Sequence, residues 1–193
     1  DFDRDGITDI FVGIEHGNGD AGIRVYGGTA DASLPVLAEV FPGIRFGALA
    51  LRDVDGDGAC DALLARSDAA ELVLFRGTEP AGFSFSPAAA LEAEPRDILA
   101  LDLDHDGKSV AAAASSSAIH FLELEPGGEL QISRVEHLPG RAIQGIASGD
   151  FNADGTADLA LADLASASVV LADIAELPGG GLKSIERKAH GLP

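Results

Sequence analysis

Apolar residues in this chain alternate with polar ones in short runs and do not recur at helical spacing. Ile10, Val12 and Ile14 alternate near the start, and Leu159 and Leu161 do so near the end. A period of two predicts strands. After each such region comes a polar turn and a second apolar run: Ile23-Arg24-Val25-Tyr26, Leu72-Val73-Leu74-Phe75, Ile119-His120-Phe121-Leu122 and Val169-Val170-Leu171. A third, less apolar segment follows: Val36-Leu37-Ala38-Glu39-Val40, Phe83-Ser84-Phe85, Leu130-Gln131-Ile132-Ser133 and Lys183-Ser184-Ile185-Glu186. Proline and glycine mark the joins, as at Phe41-Pro42-Gly43 and Leu177-Pro178-Gly179-Gly180-Gly181. Ala111-Ala112-Ala113-Ala114 has the propensity of a helix. It stands where the other units have a strand, and the pattern predicts a strand there too.

Ahead of three of these units lies a short apolar stretch: Ala48-Leu49-Ala50-Leu51, Ile98-Leu99-Ala100-Leu101 and Ile146-Ala147-Ser148. Each leads into an acidic nonapeptide. The fullest reads Asp150-Phe151-Asn152-Ala153-Asp154-Gly155-Thr156-Ala157-Asp158. Oxygen-bearing side chains occupy loop positions 1, 3, 5 and 9, and glycine occupies position 6. Alternate residues of a tight loop aim oxygens at one point, and a hard cation such as calcium takes six to eight of them. The glycine allows the sharp turn. Asp1, Asp3, Asp5 and Asp9 repeat the pattern around Gly6, as do Asp53, Asp55, Asp57 and Asp61 around Gly58. The backbone carbonyls of Ile7, Ala59 and Thr156, at position 7, are candidate fifth oxygens. A further copy keeps Asp102, Asp104 and Asp106 but has Val110 at position 9 and Lys108 beside it, which leaves its site incomplete. The loops start at residues 1, 53, 102 and 150, in steps of 52, 49 and 48. Four copies at a near-constant step, each with four short strands, predict an all-β chain of β-propeller blades.

The loops and their flanking strands resemble the FG-GAP/VCBS repeat family, the blade type also found in the integrin α-chain head. The stretch from Ile146 to Leu161 carries the closest match, and the likeness runs over essentially the whole chain. The resemblance implies a calcium-braced propeller, usually of seven blades and commonly extracellular. It also implies the three complete ligand sets named above, with structural Ca2+ in each. It does not imply one ligand, because related repeats serve adhesion proteins, lectin-like domains and accessory domains of polysaccharide-degrading enzymes. EF-hand and dockerin-like loops need an acid at position 12, where this chain has Val12, Leu64, Ala113 and Leu161. The competing reading of the loops is that their aspartates only make Asx turns; four unpaired carboxylates in one loop repel, and a turn alone does not need them.

Composition narrows the classes. The net charge is −19, and the loops hold 14 of the 32 acidic residues. Such a surface argues against nucleic acid and anionic membranes. No apolar stretch is long enough to span a bilayer. Cys60 is the only cysteine, so no intrachain disulfide forms, and it is read as a small core residue. The five histidines, His16, His105, His120, His137 and His190, are read as solvated loop or strand positions. The segment Gly17-Asn18-Gly19-Asp20-Ala21-Gly22 fits a dinucleotide fingerprint in letters only, since a strand and not a helix follows. No nucleophile elbow, phosphate loop or cysteine pair is present.

The expectation is therefore one segment, residues 1–193, forming an open arc of about four blades of a larger propeller. The first blade is expected to be one strand short, because no apolar stretch precedes Asp1. The expected function is a non-catalytic calcium-binding module outside the cytosol that presents loops to a protein or glycan. The alternative is an accessory or catalytic domain of a secreted polysaccharide-degrading enzyme. With no Trp and one Tyr, the chain lacks the aromatic platforms that sugars favour.

Overall fold

The computed structural model describes residues 1–15, 21–41, 43–78, 82–102, 109–173 and 183–185. These form strands and turns, with no helix among them. The strands make four antiparallel sheets, one after another along the chain. Sheet A holds β1 (Ile10–Glu15), β2 (Ala21–Tyr26) and β3 (Val36–Val40) in that order. Sheet B holds β4 (Phe46–Arg52), β5 (Asp61–Arg66), β6 (Glu71–Thr78) and β7 (Gly82–Phe85), and the two-residue β8 (Ala89–Ala90) also pairs with β6. Sheet C runs β9 (Asp97–Leu101), β10 (Val110–Ala114), β11 (Ala118–Leu124) and β12 (Leu130–His137). Sheet D runs β13 (Ile143–Gly149), β14 (Asp158–Asp163), β15 (Ser168–Asp173) and β16 (Lys183–Ile185).

Strand composition follows from how the sheets stack. Sheet B is covered on both faces, so the centres of β5 (Ala62–Ala65) and β6 (Leu72–Phe75) are apolar at every position. Leu63, Ala65, Leu72 and Leu74 point to sheet C, where they meet Ile98, Ala111, Ala113 and Leu122. Ala62, Leu64, Val73 and Phe75 point the other way, to Phe2, Ile23 and Val25. A third cluster joins sheets C and D through Ala112, Ala114, Ile119, Ile143, Leu159 and Leu161. The four alanines of β10 are thus the small residues of a doubly buried strand, and tertiary packing overrides their helix propensity. At the inner edges, β9 packs against both β4 and β13. This is the stacking of propeller blades.

Two details depart from the sequence reading. His120 is fully buried, not solvated. Its Nε2 accepts a hydrogen bond from the Glu92 amide at 3.2 Å. Burial pushes its pKa down, with His137 adding to that and the Glu92 carboxylate opposing it. His137 is exposed, whereas His16, His105 and His190 lie outside the described residues. Cys60 is half-buried and not a core residue. Its thiol pKa is raised, chiefly by burial. The dinucleotide-like segment falls mostly outside the described residues, but its last two residues open β2.

Candidate metal centres at the blade loops

Each described loop bridges the inner strand of a sheet, or the chain start, to the next strand. The turn is built from backbone amides donating to the loop's own aspartates. Position 1 accepts from the glycine at position 6: Gly6 N to Asp1 Oδ2 at 2.9 Å, Gly58 N to Asp53 Oδ2 at 2.8 Å and Gly155 N to Asp150 Oδ2 at 3.0 Å. Position 5 closes an Asx turn onto position 7: Ile7 N to Asp5 Oδ1 at 2.8 Å, Ala59 N to Asp57 Oδ1 at 2.6 Å and Thr156 N to Asp154 Oδ1 at 2.8 Å. The Thr156 hydroxyl also donates to Asp154 at 2.6 Å. Asn152 Oδ1 accepts from Asp154 N at 2.8 Å. The position 6 glycines have φ of 85, 86 and 89°, the left-handed region that glycine tolerates. Position 4 is left-handed as well, at Arg4 (62°), Gly56 (77°) and Ala153 (62°). The nonapeptide pattern had marked only position 6.

Position 9 ties the loop to its sheet. Asp61 is fully buried; its Oδ2 accepts from Val54 N and its Oδ1 from Gly77 N, both at 2.8 Å. Asp9 repeats this with the amides of Phe2 and, at 2.9 Å, Gly28. Gly28 and Gly77 stand just beyond the register partners of the loop, and both sites are too tight for a side chain. A Cβ on Gly77 would sit 2.6 Å from the Cys60 carbonyl oxygen, and one on Gly28 would collide with the Thr8 carbonyl. These two glycines lie far from the motif in sequence and were missed for that reason. In the last loop, Asp158 Oδ2 accepts from Phe151 N at 2.9 Å. Its buried Oδ1 has no hydrogen-bond partner among the described residues.

The structure brings some of the expected ligands together. Carboxylate oxygens of Asp1, Asp3 and Asp9 lie within 4.8 Å of one another, as do those of Asp53, Asp55 and Asp61. Oxygens at 2.3–2.6 Å from one ion are separated by up to about 5 Å, so both triads fit around a calcium-sized cation. Asp5 and Asp57 stand outside the triads, engaged in their Asx turns. In the last loop Asp150, Asn152, Asp154 and Asp158 share the same turn geometry. In the incomplete loop Asp102 is half-buried, Val110 opens β10, and Asp104 and Asp106 lie outside the described residues.

The electrostatics favour a cation at the second loop. Burial pushes the Asp61 carboxyl up to about 6, and neighbouring Asp55 and Asp53 add to this against the pull of the two amides. Asp9 is less buried. Burial still opposes its ionisation, but the Phe2 and Gly28 amides prevail and its pKa lies below the usual value. A divalent ion among positions 1, 3 and 9 would supply a counter-charge to Asp61.

Neighbouring loops also touch. Arg4 Nη2 donates to the Asp57 carbonyl at 3.3 Å. Arg52 Nε donates to Ser109 Oγ at 2.7 Å, and that hydroxyl donates to the Asp53 carbonyl at 3.1 Å. At position 2, Phe2 and Val54 are buried in the core against the following sheet, whereas Phe151 is 46% exposed because no described sheet follows D.

No family model and no curated protein matches the chain. Among solved structures it is similar to the crystal structure of BBS1N in complex with ARL6DN, soaked with lead. The TM-score is 0.52 at 18% identity, over 85% of this chain and 47% of that one. The chain thus spans about half the length of that neighbour. At this identity the likeness speaks to the fold alone, and with the four stacked sheets it makes the chain an all-β, β-propeller-like protein.

Proposed function

We propose that the chain is a non-catalytic β-propeller module, an open arc of a larger, seven-bladed propeller, braced by structural calcium. The carrying observation is the convergence of positions 1, 3 and 9 in the loops of two adjacent sheets. Supporting it is the raised pKa of Asp61. In this reading Asp1, Asp3 and Asp9, then Asp53, Asp55 and Asp61, then Asp150, Asn152, Asp154 and Asp158 hold the ions. Asp5, Asp57 and the position 7 carbonyls of Ile7, Ala59 and Thr156 complete the shells once the ion arrives. The role of calcium is to fix each loop to its blade, so that the loop ends present a stable surface to a protein or glycan. Loops of this exposure suit extracellular calcium at about 10⁻⁴–10⁻³ M, and in this reading the module works outside the cytosol.

The test is a thermal melt with EDTA and then with excess calcium, alongside calorimetric titration. A hundredfold excess over Kd adds about 2.7 kcal/mol per site, so the melting temperature rises by several degrees. An unchanged melt would remove the metal reading. Asp53→Asn should weaken the second site and leave the others intact.

A further inference from the structure

Arg76 stands on β6 directly before Gly77, the residue whose amide holds position 9 of the second loop. Its side chain reaches two parts of the fold. Its Nε lies 4.0 Å from Asp55 Oδ2, at position 3 of that loop. Its Nη2 donates to the Gly128 carbonyl, in the turn that joins β11 to β12 of the next sheet. Gly128 N closes that turn by donating to the Glu125 carbonyl at 2.7 Å, and the Arg76 guanidinium takes the space a Cβ at Gly128 would need. The Arg76 and Asp55 side chains are only 26% and 21% exposed, so water and salt screen the pair in part. Among the described residues Arg76 Nε has no hydrogen-bond partner. It faces Asp55 as a charge and not through a formed bond.

Asp55 is one of the three carboxylates that converge in the second loop. Both of its oxygens are engaged: Oδ1 accepts from Asp57 N at 3.2 Å, and Oδ2 faces Arg76. A guanidinium keeps its charge at any physiological pH. An ion entering among Asp53, Asp55 and Asp61 therefore meets a fixed positive charge beside one of its ligands. In the first loop the glycine that holds position 9 is Gly28, and the residue before it is Gly27, which has no side chain. We propose that Arg76 is the resident counter-cation of the second loop. It pairs with Asp55 while the loop is empty, and a divalent cation displaces it from that carboxylate. The inference rests on the calcium reading and adds to it a residue that sets affinity. Displacing Arg76 costs part of the energy of binding, so the second loop binds calcium less tightly than its carboxylates alone allow. The displaced side chain keeps its hold on Gly128, so occupancy of the loop is felt at the β11–β12 turn. Linkage makes the effect mutual: whatever loosens Arg76 from Asp55 favours the ion.

The probe is calcium itself, titrated into the full chain and followed by NMR. The amides of Gly56 and Gly58 donate to Asp53 and report the second loop. Those of Gly6 and Gly155 report the first and last loops. Arg76→Gln should tighten calcium at the second loop by on the order of fivefold, the scale of a partly exposed ion pair, and leave the other two loops unchanged. Arg76→Lys keeps the charge and should keep the wild-type affinity. If Arg76 only held the loop in shape, the Gln variant would bind more weakly instead. In the wild-type chain the Arg76 Nε–H resonance should shift with the same midpoint as Gly56 and Gly58, a readout that needs no variant. Weaker or unchanged binding by the Gln variant, a Lys variant that binds as tightly as the Gln variant, or an Nε–H resonance that stays fixed while Gly58 titrates would each overturn the proposal. Shifts at Gly6 and Gly155 with none at Gly56 and Gly58 would overturn it and leave calcium at the other loops. No shift at any of the four glycines would remove the calcium reading with it.

Discussion

Single residues set several local energies. Ala153 adopts φ 62° in the last loop, where the second loop has Gly56. Ala153→Gly should raise stability by on the order of 0.5–1 kcal/mol, because relief of left-handed strain exceeds the entropy cost of glycine; chemical denaturation measures it. The opposite change at Gly77 drives a Cβ into the Cys60 carbonyl, so Gly77→Ala should cost about 1–3 kcal/mol and loosen the hydrogen bond that holds Asp61. His120 brings a pH dependence. Its folded pKa is lowered by burial, so the unfolded chain binds the proton more readily. The stability it contributes is complete above the unfolded value near 6.5 and is lost as pH falls toward and through the folded pKa. Glu92 and His137 are the charged groups acting on it, and neither reverses the sign. His120→Leu should flatten the stability profile below about pH 6.5, followed by thermal melts on the acid side of that value.

At the scale of elements, the loops should bind calcium unequally. Val110 stands where Asp9, Asp61 and Asp158 serve the other loops, and losing one charged ligand weakens a hard-cation site. Calorimetry should find three stronger sites and one weaker or silent one, and Val110→Asp should strengthen the latter. The strands and loops were legible because their signals are local. A doubly buried strand such as β5 is apolar at every position between its two ends, and a turn that aims alternate oxygens inward must space them by two. What stayed hidden depends on residues distant in the chain. Nothing near His120 says that Glu92 will meet it. Asp97 reads as an ordinary strand-end acid, yet its Oδ2 accepts the Ile146 amide of the next sheet at 2.9 Å. Asp163 is buried and accepts from Ala142 N at 2.8 Å and Arg141 at 3.0 Å, and the Ser166 hydroxyl above all holds its pKa low. The β8 bridge, two residues long, left no pattern to find. Asp97→Ala should cost about 1–2 kcal/mol by stranding the Ile146 amide.

For the whole molecule, sheets A and D carry exposed apolar residues in Ile10 and Val169, and the last loop exposes Phe151. Such surfaces associate, and size exclusion with light scattering should show self-association that grows with protein concentration. Among the described residues the apolar interior is not one core but three separate clusters, one at each junction between adjacent sheets. Each sheet then feels only its immediate neighbours, and the energetics become those of a one-dimensional stack. Melting of such a stack proceeds from the ends inward and need not be all-or-none. The calorimetric enthalpy should exceed the van't Hoff value. Amides of β5, β6, β10 and β11 should be the last to exchange, and pulling on the two termini should release the sheets in successive steps.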